Sequence, residues 1–266
     1  MDLTEQRAEQ TLPGLRDWLN RLLELIEEMT YEIKCSEEDH LGFMSLCFLG
    51  KQVDHARSVI LLVPSRDAVL ISRSMIEGLA QLLWAENDPV VLPLKWRSFV
   101  HVHDWRVLQE KTRKGEVVDE VQRASIDEAL NEFGEQFLKS KEKRVRDIGG
   151  EMSDDPYHEN WRTGCRLKEI CENVGGENMY KYLYGPFSDW HHWGVGGLGS
   201  CLIRKDGYIT FSSQSNSESA TALAVAFQCV LQTAESVERI LTIGFGLKLS
   251  KLRDEYICWH QERGLG

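Results

Sequence analysis

Several signatures are missing from this 266-residue chain, and each absence removes a class of protein. There is no Walker loop, Rossmann glycine fingerprint, zinc-finger spacing or Gly-x-Ser-x-Gly elbow, which argues against NTP hydrolysis and dinucleotide chemistry. The seven cysteines, Cys35, Cys47, Cys165, Cys171, Cys201, Cys229 and Cys258, are odd in number, scattered and without a C-x-x-C pair. That excludes a disulfide framework and points to reduced, mostly buried thiols in a cytosolic protein. No uncharged apolar run approaches the ~20 residues of a membrane span, and the segment Met1 to Arg7 is polar, so neither a leader nor a membrane partner is expected. Net positive charge is lacking too: at -11 and a pI of about 5.3, the surface as a whole repels polyanions. The one basic run, Lys139 to Arg146, reads as a solvated helix face. Internal repeats and low-complexity segments are absent.

What is present is helix. Leu15, Trp18, Leu19, Leu22, Leu25, Ile26 and Met29 recur at i, i+3, i+4 spacing, which predicts an amphipathic helix over 13–34 with Pro13 near its start. A second helix runs from His40 to Val63, stopped by Pro64. Ser65 caps a third, over 66–87, which ends before Asp88-Pro89. The short joint predicts an antiparallel pair. Further helices are expected over 91–114, 117–145, 166–174, 217–243 and up to about 262. Segment 149–164, rich in Gly, Asp and Pro, reads as a loop or lid. The best β signal is Cys201-Leu202-Ile203-Arg204 and Tyr208-Ile209-Thr210-Phe211 around Asp206-Gly207, a hairpin within 198–213. The chain therefore reads as all-α: a multi-helix bundle with a small inserted β-hairpin, one domain over 1–266, its first helix peripheral.

Two polar features stand out against this background. Arg73, Glu77 and Gln81 follow one another at i, i+4, i+8 in an apolar helix, with Ser74 and Gly78 alongside. An ion pair at the protein edge explains the stripe as well as a shared interior site does. Ser188-Asp189-Trp190-His191-His192-Trp193 ends a helix, and Gly194, Gly196 and Gly197 follow, able to bring backbone close or to offer N–H groups to an anion. In a helix His192 shares a face with Ser188 while His191 points elsewhere, so one of the two is central.

The arrangement Arg73-Ser74-Met75-Ile76-Glu77, then Ser188-Asp189-Trp190-His191-His192 about a hundred residues later, then glycines and a hairpin before a long final helix, resembles the bacterial domain-of-unknown-function family numbered 5677. Similar order extends over about 40–243. The resemblance implies that Arg73, Glu77, Ser188 and His192 belong to one site, with a more distant likeness to helical HEPN-type ribonuclease toxins. The HEPN spacing of arginine and histidine occurs as Arg97 to His103 and as Arg253 to His260, at a frequency composition alone explains. A metal is not expected: Glu37-x-x-His40 with Asp54-His55 supplies one motif where di-iron bundles need two, and a capped helix start at Ser36 to Asp39 accounts for it.

The leading expectation is a cytoplasmic, metal-independent and cofactor-free ribonuclease of the toxin or defence type. In it His192 moves a proton, Arg73 neutralises phosphate charge, Glu77 orients Arg73 and Ser188 positions the substrate. The rival is a non-enzymatic interaction protein, a homodimer or partner-binding bundle, in which the same residues fix helix register. Solvent access to His192 separates them, because a register network buries the imidazole and a reactive site exposes it.

Overall fold

The computed structural model describes residues 3–31, 33–141, 143–144, 154–199, 201–205 and 207–263. In it the chain forms two compact units, one from residues 1–84 and 167–266 and one from 85–166. The all-α class holds, with a single two-stranded hairpin among the described residues.

In the first unit α1 spans Leu3–Thr30, starting ten residues ahead of the position the apolar repeat suggests. The repeat begins late because the first turns bury small residues: Ala8 and Thr11 continue the stripe of Leu15, Trp18, Leu19, Leu22 and Ile26. Pro13 lies inside this helix, on its exposed side, where water serves the carbonyl that a missing N–H leaves unbonded. Far from being peripheral, α1 is a core member. Helix α2 (His40–Leu62) takes Asp39 as N-cap, its carboxylate accepting from the Gly42 N–H. Helix α3 (Ala68–Glu86) follows.

The second unit opens with α4 (Val91–Ser98) and α5 (Val100–Arg113), two helices where one is expected over 91–114. Their joint, Phe99, is a packing centre, its ring set edge-on against His103 and Phe137 at 5.0 and 5.1 Å. Helix α6 (Glu120–Phe133) ends well before residue 145, because Leu138 turns extended and bridges to Tyr157. Arg106 organises the loop beyond, reaching Asp155 at 2.9 Å and the carbonyl oxygens of Tyr157 and His158. Of the loop expected over 149–164, residues 149–153 lie outside the described residues, as do parts of the basic run 139–146.

The first unit resumes with α7 (Leu167–Asn173) and α8 (Glu177–Met179), which passes through a single π turn, Tyr180–Tyr184, into α9 (Gly185–His191). Short α10 (Val195–Gly199) leads to β1 (Leu202–Lys205) and β2 (Tyr208–Phe211), antiparallel with Leu202 opposite Phe211. The long α11 (Asn216–Leu241) is the spine: α1 and α2 both pack along it, and Ser72 of α3 donates to its Ala222 carbonyl. It meets the length and apolar composition of a membrane span, but 67% of that window is buried inside the protein, as a central core helix requires. Helix α12 (Gly246–Glu262) closes the unit, stacking Tyr256 on Phe227 at 3.9 Å and filling the notch left by Gly14 of α1 with Trp259.

Three groups tie the start of α11 down. Ser215 is the N-cap. Glu5 accepts from the Ser215 hydroxyl and the Asn216 and Ser217 N–H groups, a carboxylate placed where the helix dipole favours it. Glu218 pairs with Arg66 at 2.6 Å, the arginine side chain only 9% exposed.

Of the cysteines, three are buried and two exposed, the rest between. Burial pushes the Cys229 thiol up to about 12, and burial, then the Glu77 and Glu172 carboxylates, push Cys171 up to about 11. Thiols in that state are poor nucleophiles. Brief iodoacetamide treatment at neutral pH is therefore expected to label Cys47 and Cys258 and to spare Cys171, Cys201 and Cys229 until the chain unfolds. Peptide mapping that finds Cys229 modified in the folded protein refutes this packing.

Candidate functional site

The polar stripe of α3 faces the α8–α9 segment. Arg73, half-buried, sends one guanidinium N–H to the Tyr184 hydroxyl at 2.6 Å, and its Cζ lies 4.5 Å from the Tyr184 ring centre. Its Nε is buried without a hydrogen-bond partner. Tyr184 thus holds the arginine through both its hydroxyl and its ring face. Glu77 stands close enough to Cys171 of α7 to raise its thiol pKa, and Gln81 donates to the Glu77 carbonyl. Nothing in the spacing of polar residues along the sequence singles out Tyr184. A π turn was its only signal, and such turns shift the register of every side chain after them.

Tyr184 closes the π turn just before α9, Ser188 lies within α9 and His192 follows its last residue, at spacings of four. Ser188 is half-buried. Its carbonyl accepts the His192 N–H at 2.9 Å, closing the last turn. The Arg73 anchor and His192 are two turns apart, about 12 Å along the axis at 1.5 Å per residue. The structure brings Arg73 to the tyrosine that precedes α9.

The end of α9 departs from the helical expectation in a useful way. His192 is the C-cap, at φ -93 and ψ 16, and so leaves the helical path. Its ring folds back to 4.7 Å from that of His191, the planes at 70°. Both imidazoles are exposed, and they form a pair where helical geometry alone would part them.

Behind the pair lies the reason for the glycines. Trp193 takes a left-handed conformation, φ 59, and the chain curls around Asp189, whose carboxylate accepts the Gly197 N–H at 2.6 Å while its carbonyl accepts that of Gly194 at 2.8 Å. A Cβ on Gly194 would fall 1.7 Å from the Asp189 carboxylate, and one on Gly197 would fall 2.6 Å from the Trp190 Cα. The glycine loop does bind an anion, and the anion is this chain's own Asp189. Because backbone atoms cannot swing aside as a side chain can, Gly197→Ala is expected to break this loop. Limited proteolysis cutting within 190–200 many times faster than in wild type would show it, and equal rates would refute it.

Exposed aromatic and apolar side chains lie in the segments on either side of the histidines: Tyr182, Trp193, Val195, Leu202, Tyr208, Ile209 and Phe211. Phe187 is buried, and Leu183, Tyr184 and Trp190 pack on the main core, which anchors the inner face of α9. Of the arginine–histidine spacings noted in the sequence, Arg253 pairs with Glu235 at 2.8 Å, and His103 packs on Phe99. Among the described residues no three His, Cys, Asp or Glu side chains gather as metal ligands.

A family model described as a family of unknown function, DUF5677, matches residues 42–209. No curated protein and no solved structure matches the chain.

Proposed function

We propose a function for this chain, which belongs to that family of unknown function: metal-independent cleavage of single-stranded RNA at the exposed end of α9. The observation that carries the reading is the pair of solvent-exposed imidazoles, 4.7 Å apart, between segments rich in exposed aromatic side chains. Imidazole changes charge near neutral pH and so serves as acid or base in the cell. Aromatic side chains around it offer stacking platforms to unpaired bases.

In this reading His192 removes the proton of a ribose 2′-hydroxyl, and the 2′-oxygen forms a bond to the adjacent phosphorus. The bond from phosphorus to the 5′-oxygen breaks, and His191 supplies the proton that the 5′-oxygen takes up. The products are a 2′,3′-cyclic phosphate and a 5′-hydroxyl end. Ser188 positions the strand along the face of α9. Arg73, held by Tyr184 two turns away, meets a phosphate further along the strand rather than the reacting one. Incubation of the purified protein with single-stranded RNA in excess chelator, followed by analysis of the ends, tests the scheme. Cleavage that needs added metal, or ends bearing a 5′-phosphate, would sink it.

One observation favours a second reading, a cytoplasmic interaction protein. The hairpin leaves Leu202, Tyr208, Ile209 and Phe211 exposed, a surface suited to another chain. An inert protein that elutes as a tight dimer, and turns monomeric on Phe211→Lys, would favour it.

Tyr184→Phe separates the arginine anchor from the histidines in either case. Losing a hydrogen bond to a charged group costs about 1 kcal/mol where the group is partly solvated, and a drop in melting temperature of a few degrees is expected. An unchanged melt would mean that the ring face alone holds Arg73.

A further inference from the structure

A cavity of about 430 Å³ opens between α1, α11 and α12, lined by Arg7, Ser217, Thr221 and His260 over an apolar floor that includes Leu15 and Ala224. The volume falls in the range of sites for small organic ligands. Its lining is a mixture of one cation, hydroxyls and an imidazole, in which the Thr11 and Thr221 hydroxyls donate to the Arg7 and Ser217 carbonyls. Among the described residues no carboxylate pairs with Arg7, and the His260 ring lies against the rings of Tyr256 and Trp259. Burial lowers the His260 pKa, which favours the neutral ring, with one donor and one acceptor. Thr221 already donates its hydroxyl hydrogen to the Ser217 carbonyl at 3.0 Å, so an oxyanion, which only accepts, draws on Arg7, His260 and the Ser217 hydroxyl instead.

The nearby helix terminus is not the attraction. Glu5 already satisfies the Asn216 and Ser217 N–H groups, so an incoming anion must find its charge partner at Arg7. The floor of Leu15 and Ala224 calls for a compact apolar body behind that charge.

We propose that this cavity binds a small organic oxyanion, a carboxylate or phosphate monoester on a short apolar body. The charge rests on Arg7, a ligand oxygen lies against His260 and Ser217, and the body packs on Leu15 and Ala224. The reading is independent of the chemistry at His192, which lies on another element.

Benzoate and phenyl phosphate are suitable probes, one for each kind of oxyanion. Titration of the full chain, followed through the His260 ring resonances by NMR, is expected to give a saturable shift with at least one of them. Which probe binds tighter names the anion. Arg7→Ala, at an exposed position, removes one charge-assisted bond and is expected to weaken binding about tenfold or more with the melt unchanged. Ala224→Leu fills the floor and is expected to abolish the shift. No saturable shift with either probe up to about 10 mM, or equal affinity in the Arg7→Ala protein, overturns the proposal. Should Ala224→Leu fail to fold, the Arg7 comparison decides alone.

Discussion

His192→Ala is expected to lower RNA cleavage in chelator by about 10²- to 10⁴-fold, the usual cost of removing a general acid or base, and to leave circular dichroism and melting temperature at their wild-type values. The side chain is exposed and its fold-bearing contact is a main-chain bond from its N–H to Ser188, which alanine keeps. His191→Ala is expected to cost a similar factor, and the double variant little beyond either single one, because residues that act as a unit are not additive. An activity loss confined to one histidine would show that the pair does not share the proton transfers. A wild-type rate in both variants would remove the ribonuclease reading altogether.

The largest effect on stability is expected at Glu218→Gln. The carboxylate, 33% exposed, pairs at 2.6 Å with Arg66, whose side chain is 9% exposed, and the substitution removes the negative charge facing that guanidinium. Breaking one side of a fully buried pair costs about 3 kcal/mol or more; with the carboxylate a third exposed, about 1 to 2 kcal/mol is expected, which at this size corresponds to a melting temperature lower by roughly 2 to 8 °C. Replacing both residues by apolar ones of similar volume is expected to restore most of the loss, since a pair's net worth is small beside the penalty for orphaning one charge. A single variant that melts with the wild type would mean that water reaches Arg66.

Much of the helical architecture can be read from the chain, because its cause is local. The stripe from Leu15 to Met29, the cap at Asp39, the stop near Pro64 and the Asp-Gly turn before Tyr208 each act within a few residues. Failures occur where distant partners decide. The start of α1 depends on Ala8 and Thr11 finding α11 and α12, the split at Phe99 on a ring from Phe137, and the early end of α6 on Leu138 pairing with Tyr157. At the site, spacing alone made Glu77 the natural neighbour of Arg73, and the tyrosine that a π turn brings to the arginine could not be foreseen from it. The glycine-rich exit was legible as an anion cradle, but its occupant, Asp189, sits inside the motif itself. The histidine pair was hidden because His192 leaves the helix at its last residue.

The dependence of α1 and α2 on α11 has a consequence for synthesis. Both early helices complete their burial only against a helix whose first residue, Asn216, follows Thr30 by most of the chain. At ribosomal speeds of 5 to 20 residues per second that interval lasts roughly 10 to 40 s. Throughout it the apolar face of α1, with Leu15, Leu19, Leu22 and Ile26, lacks its main partner. The unit over 85–166 is contiguous and is complete long before. A ribosome stalled ahead of residue 216 therefore holds one finished unit and one open core, and it is this nascent species that a cell's holding chaperones must shield.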